Sequence, residues 1–446
     1  MRPTASARDA SQFMTTPNEF SSCVAQYDPH ALPVTAAQAI VRQWATPITA
    51  VERLPLHDAL DRVLAADIVS PSDVPAHDNS AMDGYAFHSA ALASQAEADT
   101  VELTLAGKAL AGHPFGGAVA VTECVRVMTG ASMPAACDTV VPQELVTRSS
   151  ETIRFAASAV RGGANRRLAG EDLARGSAAL RAGRILRASD LGLIASLGIG
   201  EVPVRRRLRV AFFSTGDELR SLGEPLGPGC VYDSNRHTLF AMLRRMNIDT
   251  LDLGVVRDQP AALEAALRSA AASADVVLTS GGVSVGEADL TQQVLQTFGD
   301  VAFWSLAMRP GRPLAFGRVW SGERPGLGLP ALFFGLPGNP VAVMVTFYQI
   351  VREALVVMSG ATPQPAALLQ AASRDVIRKR AGRTEFQRGV ATRDARGQWH
   401  VTPTPSQSSG VLSSMSEANC FIVLEHERSD ISAGESVDIM LFDGLI

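Results

Sequence analysis

The chain has 446 residues, of which 46% are hydrophobic and 19% are charged. This balance excludes a disordered protein, and the length predicts about three domains of roughly 150 residues each. The formal net charge of −5 provides no global positive field, so we expect the protein to bind neither nucleic acid nor an anionic membrane.

The five cysteines are scattered along the chain, and no two of them form a Cys-x-x-Cys pair. This pattern argues against a disulfide framework and against a zinc site, and it fits a reducing compartment. No apolar run in the sequence reaches the roughly 18 residues that cross a bilayer, and the first residues lack the apolar segment of a signal peptide. These features together predict a cytoplasmic protein.

The first half of the chain predicts a helical linking domain that is interrupted by β-structure. Residues 1–30 are polar without hydrophobic periodicity, which predicts a mobile extension. A helix capped by Thr35 is predicted over residues 36–44, and a second helix over 190–197. We therefore assign residues 31–70 and 173–205 to one linking domain.

Between these two pieces the sequence changes character. Short β-type runs, such as 101–105 and 125–128, alternate with Gly and Pro turns. Such a pattern is typical of a small β-rich domain, which we place at residues 71–172 as an insertion.

From Leu208 apolar β-runs alternate with amphipathic helices, which predicts a doubly wound, mostly parallel α/β domain over residues 206–360. The predicted elements are strand 210–213, helix 236–246, strand 251–255, helix 261–272, strand 276–278, helix 290–298, strand 331–334 and a long helix from Pro340. A second β-rich domain is predicted over residues 361–446, and 421–424 is its clearest strand.

Three of the predicted strands end in loops of unusual composition, at residues 214–218, 280–289 and 336–340. In an open α/β sheet, ligands bind beyond the carboxyl ends of the strands, so these loops form the candidate site. Each loop also has an ordinary explanation, as a tight turn or a helix cap. Three such loops at one predicted edge favour a binding site.

The second and third loops offer backbone N–H groups to an anion. In the second loop glycines allow these groups to converge, and a serine hydroxyl adds a donor. In the third loop Asn339 suits a helix cap and Pro340 the first helical position, which leaves N–H groups at the helix start for a phosphate. The predicted anion-binding residues of the two loops are Gly281, Gly282, Ser284, Gly286, Pro337, Gly338 and Asn339.

Acidic residues lie in the same loops or after the neighbouring strand, namely Glu218, Asp258 and Asp289. Carboxylates beside a phosphate site would repel the phosphate, and a hard cation removes this conflict, because Mg²⁺ binds carboxylate and phosphate oxygens together. We therefore predict a Mg²⁺ site at Asp289 and Glu218. Asp258 is equally compatible with capping the helix that follows Pro260.

Two arginines, Arg309 and Arg312, flank a Pro-Gly pair in the segment 308–313. Guanidinium groups match phosphate and other oxyanions, including molybdate, and the Pro-Gly backbone holds the two groups in place. We predict an oxyanion site here rather than a surface charge pair.

The β-rich insertion contains a string, residues 75–86, that is too rich in Asp, Asn, Ser and Gly for a core strand. A second polar segment follows at residues 128–138. The composition of these two segments is compatible with metal binding and with nucleotide binding, and it does not distinguish between them.

Taken together, these strings resemble the molybdopterin molybdenumtransferase family, which includes the MoeA proteins and the gephyrin E domain. The resemblance extends from about residue 32 to the C-terminus. It rests on DNSAMDGYA at 78–86, MTGASMP at 128–134, AGED at 169–172, STGDEL at 214–219, SGGVSVGEAD at 280–289, RPGRP at 309–313 and LPGNP at 336–340.

The resemblance implies an elongated four-domain homodimer whose active site lies between domains of different subunits. It implies hydrolysis of adenylylated molybdopterin in the presence of molybdate and Mg²⁺, with release of AMP and molybdenum cofactor. An adenylyltransferase that supplies the substrate and molybdoenzymes that accept the cofactor are the further partners it suggests. By residue match, the positions implicated in function are Asp83, Thr129, Arg167, Glu218, Asp258 and Asp289.

The chain departs from the family pattern at three places. Arginine stands at positions 309 and 312, where lysine is usual, and Ser305 stands where the family often has lysine. The lost cation at 305 predicts a weaker oxyanion site. Residues 407–410 differ from the family's usual Gly-Ser-His pattern, and we assign no site there.

Two other functions remain open at this point. An adenylyltransferase that makes the adenylylated pterin resembles residues 208–358 alone, and the roughly 270 additional residues favour the insertase. A scaffold or pterin carrier without turnover is the other alternative, and the acidic residues at 218 and 289 argue against it.

Overall fold

The computed structural model describes residues 31–94, 99–283, 288–322 and 330–445, and of residues 288–290, 296 and 298 only the backbone. The chain divides into two compact units. The smaller unit consists of residues 53–60 and 64–203. The larger unit consists of residues 1–52, 61–63 and 204–446.

The elements up to residue 205 are mostly short. In chain order they are α1 (Val34–Trp44), β1 (Val51–Pro55), β2 (Ile68–Val69), β3 (Asn79–Ser80), β4 (Gly84–Phe87), α2 (Ala90–Ser94), β5 (Thr100–Ala109), β6 (Glu123–Val127), β7 (Thr139–Pro142), β8 (Thr147–Ser149), β9 (Thr152–Ala156), β10 (Arg166–Arg167), β11 (Ala178–Leu180), α3 (Ala188–Ser196) and β12 (Glu201–Arg205).

The elements of the α/β part and the C-terminal β part are longer. They are β13 (Arg209–Thr215), β14 (Leu219–Arg220), β15 (Val231–Tyr232), α4 (Asn235–Arg245), β16 (Asp249–Val256), α5 (Pro260–Ser273), β17 (Val276–Ser280), α6 (Ala288–Phe298), β18 (Gly299–Ser305), β19 (Met308–Arg309), β20 (Pro313–Val319), β21 (Ala331–Leu336), α7 (Pro340–Thr346), α8 (Arg352–Met358), β22 (Leu369–Ser373), β23 (Thr384–Arg393), β24 (Trp399–Pro403), α9 (Ser413–Glu417), β25 (Cys420–Leu424) and β26 (Ser436–Leu441).

A six-stranded sheet in the order β7-β4-β6-β5-β9-β8 forms the centre of the smaller unit. Successive side chains of a strand point to opposite faces of the sheet, so the sheet has two apolar layers. Phe87, Val101 and Phe155 pack on one face. Val125 and Val140 pack on the other. The β-rich domain that the turn-rich sequence predicts is therefore present.

The larger unit contains a six-stranded sheet in the order β16-β13-β17-β21-β20-β18. Strands β16, β13, β17 and β21 are parallel, and β20 is antiparallel to both of its neighbours. The central strands are buried on both faces because apolar clusters cover each side. This explains why they read as continuous apolar runs. The predicted doubly wound, mostly parallel sheet is confirmed.

The C-terminal β part forms a second sheet of the larger unit, in the order β19-β23-β24-β22-β26-β25. Strand β25 also pairs with β23, which closes five of these strands into a barrel. Strand β19 pairs with β23 in parallel, at Arg309 opposite Glu385. The predicted oxyanion segment is therefore an edge of this barrel.

The helix of residues 340–358 consists of α7, a π-helical turn at Phe347–Val351, and α8. By length and composition this segment could cross a membrane, and 67% of it is buried inside the protein. Its apolar residues Val341, Val345 and Leu355 belong to the core on one face of the sheet. We therefore assign it as a core helix.

Helix α1 shows where local prediction fails. It begins at Val34, and the carbonyl of Pro33 accepts the first helical hydrogen bond, from the N–H of Ala37. Pro33 therefore occupies the cap position, and the prediction that Thr35 caps this helix is wrong. The predicted extension of residues 1–30 lies outside the described residues.

Substitution of Phe316 on β20 tests the packing of the sheet. It is fully buried between Trp304 and Phe334, with ring centroids 5.2 and 5.0 Å away. We expect Phe316→Ala to lower the free energy of unfolding of the larger unit by about 3–5 kcal/mol, because the truncation leaves a cavity. Thermal unfolding measures the effect.

The matched control is Phe240→Ala on α4, because that ring is 45% exposed. Its expected effect is about 0.5 kcal/mol. Equal losses of stability in the two variants would contradict the packing described here.

Candidate functional site

The carboxyl ends of β13, β17 and β21 lie side by side, because these three strands are consecutive neighbours in the parallel part of the sheet. The N–H of Gly281, after β17, donates to the carbonyl oxygen of Leu336 at the end of β21, at 3.1 Å. A Cβ atom placed on Gly338 would lie only 3.9 Å from the Cα of Gly281. The structure therefore brings the three polar loops to one edge.

Gly281 and Gly282 need to be glycine for two reasons. Both have positive φ angles, +94° and +68°, which side chains strongly disfavour. A Cβ atom at 281 would come within 2.5 Å of the carbonyl oxygen of Thr215, and one at 282 within 2.8 Å of the hydroxyl of Thr291. The loop thus packs directly on the end of β13, with its backbone open to a ligand.

A cavity of about 960 Å³ opens over these strand ends. Of the residues predicted as anion or metal ligands, eight line it: Glu218, Gly281, Gly282, Arg309, Arg312, Pro337, Gly338 and Asn339. Ser284 and Gly286 lie outside the described residues, and so does the side chain of Asp289.

The cavity also has walls that sequence reasoning missed. Asn235 at the start of α4 lines it, as do Arg383 and residues 407–409 from the C-terminal β part. Residues 407–409, to which we assigned no site from the sequence, are therefore part of the cavity wall. The pairing of β19 with β23 brings the C-terminal barrel to the cavity, and no local sequence pattern reports such a long-range contact.

A buried arginine shapes the 407–409 wall. Arg388 is 1% exposed, and its guanidinium donates to the carbonyl oxygens of Ser406 and Ser408, each at 3.1 Å. Burial, together with the positive charge of Arg309, lowers the pKa of Arg388 to about 10. Its hydrogen bonds to backbone carbonyls offset part of the cost of burying this charge.

The two predicted oxyanion arginines are exposed at the cavity. The Nε of Arg312 donates to the hydroxyl of Ser305 at 2.8 Å. Between the arginines, Gly311 has a φ of +100° and lies against the hydroxyl of Thr346, so only glycine fits there. Ser305, where the resemblance suggested a lost cation, thus orients a neighbouring cation.

The start of α7 differs from expectation in one respect. Asn339 occupies the cap position and Pro340 the first helical position, as predicted, but the Asn339 side chain makes no cap hydrogen bond. The N–H of Val341 instead donates to the carbonyl oxygen of Ser409, at 3.1 Å. One of the N–H groups expected to be available for a phosphate is therefore already occupied.

The acidic residues are arranged unequally. Glu218 is exposed at the cavity, and its carboxylate lies so close to Gly216 that a Cβ atom there would displace it. Asp258 accepts a hydrogen bond from the hydroxyl of Thr215 at 3.0 Å, and α5 begins after Gln259 without a side-chain cap. Within the described part of the chain, no three acidic, His or Cys side chains gather as a ready-made metal site.

In the smaller unit, Asp83 and Thr129 form a hydrogen-bonded pair. The carboxylate of Asp83 accepts from the backbone N–H of Thr129 at 2.7 Å and from its hydroxyl at 2.8 Å. These two donors, the N–H first, hold the pKa of Asp83 below its ordinary value. Thr129 is exposed and Asp83 is half-buried, so an ionised carboxylate with fixed orientation remains partly accessible to solvent.

Arg167 lies on β10, which pairs with β3 so that Arg167 is opposite Asn79. Its side chain is exposed, while the neighbouring Arg166 is paired with Asp78. The N–H of Ala169 and the guanidinium of Arg166 together lower the pKa of Asp78. This pair ties the DNSAMDGYA string to the strand that bears Arg167.

Models of three protein-family regions match consecutive parts of the chain. Residues 32–198 match the MoeA N-terminal region (domain I and II), residues 211–357 a probable molybdopterin binding domain, and residues 370–442 the MoeA C-terminal region (domain IV). The matches cover both units described above.

Curated relatives and solved structures agree with these matches. The chain is 42% identical over 401 residues to the molybdopterin molybdenumtransferase of Haemophilus influenzae, covering 89% of this chain and 95% of the relative. It is 34% identical over 392 residues to the protein of the same name from a Nostoc species, covering 87% and 88%. A molybdopterin biosynthesis MoeA protein from Pyrococcus horikoshii superposes with a TM-score of 0.78 at 28% identity, covering 92% of this chain and all of that one.

The glycine loop provides a direct test of anion binding. We expect Gly281→Ala to weaken the binding of inorganic diphosphate by about tenfold or more, because a side chain at this φ displaces the loop from β13. Isothermal titration calorimetry measures the dissociation constant.

Gly192→Ala on α3 is the control, because Gly192 belongs to the smaller unit, is not among the residues that line the cavity, and an added Cβ there meets no atom within 4 Å. Unchanged diphosphate binding in Gly281→Ala would show that the loop is not the anion site.

Proposed function

Because this chain belongs to the molybdopterin molybdenumtransferase family and is a transferase of molybdenum cofactor biosynthesis, we propose that it inserts molybdate into adenylylated molybdopterin, with Mg²⁺-dependent hydrolysis and release of AMP. The observation that supports this mechanism is the cavity of about 960 Å³, where backbone loops, two arginines and a carboxylate meet at the strand ends. The cavity thus offers ligands for phosphate, for an oxyanion and for a divalent cation in one place.

The first role of these residues is to bind and orient the diphosphate. Backbone N–H groups of the loops at Gly281 and Gly338 would donate hydrogen bonds to phosphate oxygens. Arg309 and Arg312 would neutralise the oxyanions, and Ser305 keeps one of the two guanidinium groups in position. Molybdate, as the second substrate, carries oxygens that suit the same guanidinium groups.

The residues present fit a Mg²⁺ ion that has few protein ligands. Glu218 supplies a carboxylate at the cavity, and Asp289 is the second carboxylate we assign. Mg²⁺ sites commonly combine one or two carboxylates with water and substrate phosphate, so the lack of a preformed cluster among the described residues agrees with this assignment. When bound, Mg²⁺ would withdraw electron density from the phosphorus under attack.

Asp258 then has a positioning role. Its carboxylate holds the hydroxyl of Thr215, and the backbone of Thr215 is the surface on which Gly281 packs. Through this contact Asp258 would keep the end of β13 and the glycine loop in register. Through such a role an exposed carboxylate after β16 would affect the cavity without lining it.

We further propose that Asp83, Thr129 and Arg167 of one subunit act on the substrate held by the other subunit of a homodimer. The support is the Asp83–Thr129 pair, in which two hydrogen bonds fix an ionised carboxylate that the smaller unit leaves partly accessible. The scattered cysteines support a cytoplasmic location, where an adenylyltransferase would deliver the substrate and molybdoenzymes would take the product.

The metal assignment is tested at Glu218 and Asp289. We expect Glu218→Gln and Asp289→Asn each to slow AMP release by about a hundredfold and to raise the Mg²⁺ concentration needed for half-maximal rate, because a neutral amide is a poorer Mg²⁺ ligand. The assay follows AMP from adenylylated pterin, with and without molybdate.

Glu224→Gln is the matched control, because the Glu224 carboxylate accepts from the N–H of Ser221 and is not part of the cavity wall. Normal Mg²⁺-dependent AMP release in both acidic-site variants would refute the metal site. Release of pyrophosphate from ATP and free pterin would instead identify an adenylyltransferase.

The shared active site is tested by mixing subunits. Asp83→Asn and Glu218→Gln homodimers should each be nearly inactive. After subunit exchange, about a quarter of wild-type activity should return, because half of the dimers are mixed and each of these has one intact site. A mixture of Asp83→Asn and Asp83→Ala subunits should recover nothing. Absence of recovery in the first mixture, with exchange verified, would place every catalytic group in one chain.

A further inference from the structure

Asn235, the first residue of α4, joins two of the three loops of the cavity. Its side-chain nitrogen donates to the hydroxyl oxygen of Ser280 at 2.8 Å and to the carbonyl oxygen of Gly338 at 2.7 Å. Ser280 is the last residue of β17, and Gly338 follows β21. One side chain therefore bridges the glycine loop and the Pro-Gly-Asn loop.

The orientation of this amide is fixed by its partners. A backbone carbonyl can only accept, so the nitrogen of Asn235 must face Gly338. The hydroxyl of Ser280 then accepts from Asn235 and donates onward to the carbonyl oxygen of Pro337, at 3.4 Å. The result is a continuous chain of hydrogen bonds across the floor of the cavity.

These contacts use only the side-chain nitrogen of Asn235 and leave its side-chain oxygen unbonded. The residue is 9% exposed and lines the cavity, and among the described residues this oxygen has no hydrogen-bond partner. A buried acceptor without a donor destabilises a fold. Its presence here is explained if a ligand in the cavity supplies the donor.

Asp233, two residues before Asn235, further fixes the position of this helix start. Asp233 is buried and accepts from the hydroxyl of Ser214, near the end of β13, at 3.0 Å. It also accepts from the N–H and the Nε of Arg236, each at 3.2 Å. Asp233 and Asn235 together thus hydrogen-bond the start of α4 to the ends of β13, β17 and β21.

We propose that Asn235 is a positioning residue of this site, whose nitrogen sets the two ligand loops against each other and whose oxygen accepts a hydrogen bond from a hydroxyl of the bound nucleotide. The proposal rests on the proposed function, because it takes the AMP moiety as the ligand of the cavity. Phosphate oxygens are acceptors, whereas the ribose hydroxyls of such a ligand can donate.

The experiment measures the binding of AMP and of inorganic diphosphate by calorimetry to full-length wild type, Asn235→Ala, Ser280→Ala and the double variant. We expect Asn235→Ala to weaken diphosphate binding by about tenfold, because both loop contacts are lost, and AMP binding by a larger factor. Ser280→Ala should weaken both less. The double variant should fall short of the product of the single effects, because the two residues share one hydrogen bond.

Thr238→Ala is the matched control. It lies on the same helix and removes a hydroxyl that donates to the carbonyl oxygen of Ser234, away from both loops. It should leave both dissociation constants within about twofold. If Asn235→Ala fails to fold, Asn235→Asp replaces it, because the carboxylate has the same size and cannot donate to Gly338.

Each outcome has a distinct meaning. Unchanged affinity in a folded Asn235 variant overturns the positioning role. Equal losses for AMP and diphosphate overturn the contact with the nucleotide hydroxyl. Wild-type protein that binds neither ligand contradicts the proposed function itself, whereas wild-type binding without turnover of adenylylated pterin leaves the Asn235 assignment intact.

Discussion

The parallel arrangement of β13, β17 and β21 is the constraint on which the site depends. Parallel neighbours end at the same edge, so three loops that are separated by up to about 120 residues in sequence meet there. Backbone contact between these loops requires glycine at 281 and 282. A side chain at 281 would overlap the carbonyl oxygen of Thr215 at the end of β13, and one at 282 would overlap the hydroxyl of Thr291 on α6. The site is thus formed mainly by backbone, and its shape follows from the order of the strands.

The strands and loops of the parallel sheet could be predicted well because local sequence patterns determine them. Apolar runs that are buried on both faces identify the strands, and the Gly, Pro and Ser content identifies the loops. Errors at helix starts are also local and have a simple origin. At α1 the carbonyl of Pro33 accepts the first helical bond, and at α7 the carbonyl of Ser409 takes the N–H that an Asn339 cap would have used. Propensity rules do not include such competing partners.

The contribution of the C-terminal barrel could not be predicted in the same way. Residues 407–409 reach the cavity because β19 pairs with β23 and because Arg388 holds the carbonyls of Ser406 and Ser408. Both causes join segments that are distant in sequence, and the pattern around 407–410 differs from that expected of the family. A buried guanidinium is costly, and its hydrogen bonds here serve to fix a wall of the cavity.

The charges around the cavity support the proposal of a divalent cation. Among the described residues that line the cavity, Arg309, Arg312 and Arg383 are cationic and Glu218 is anionic, and Arg383 is also paired with the buried Glu385. A diphosphate together with molybdate brings more negative charge than this set can balance. Additional arginines would solve the problem only by repelling one another, as the effect of Arg309 on the pKa of Arg388 already illustrates. The proposed Mg²⁺ ion would add two positive charges in the volume of one atom, and Glu218 would attract it without crowding the phosphate loops.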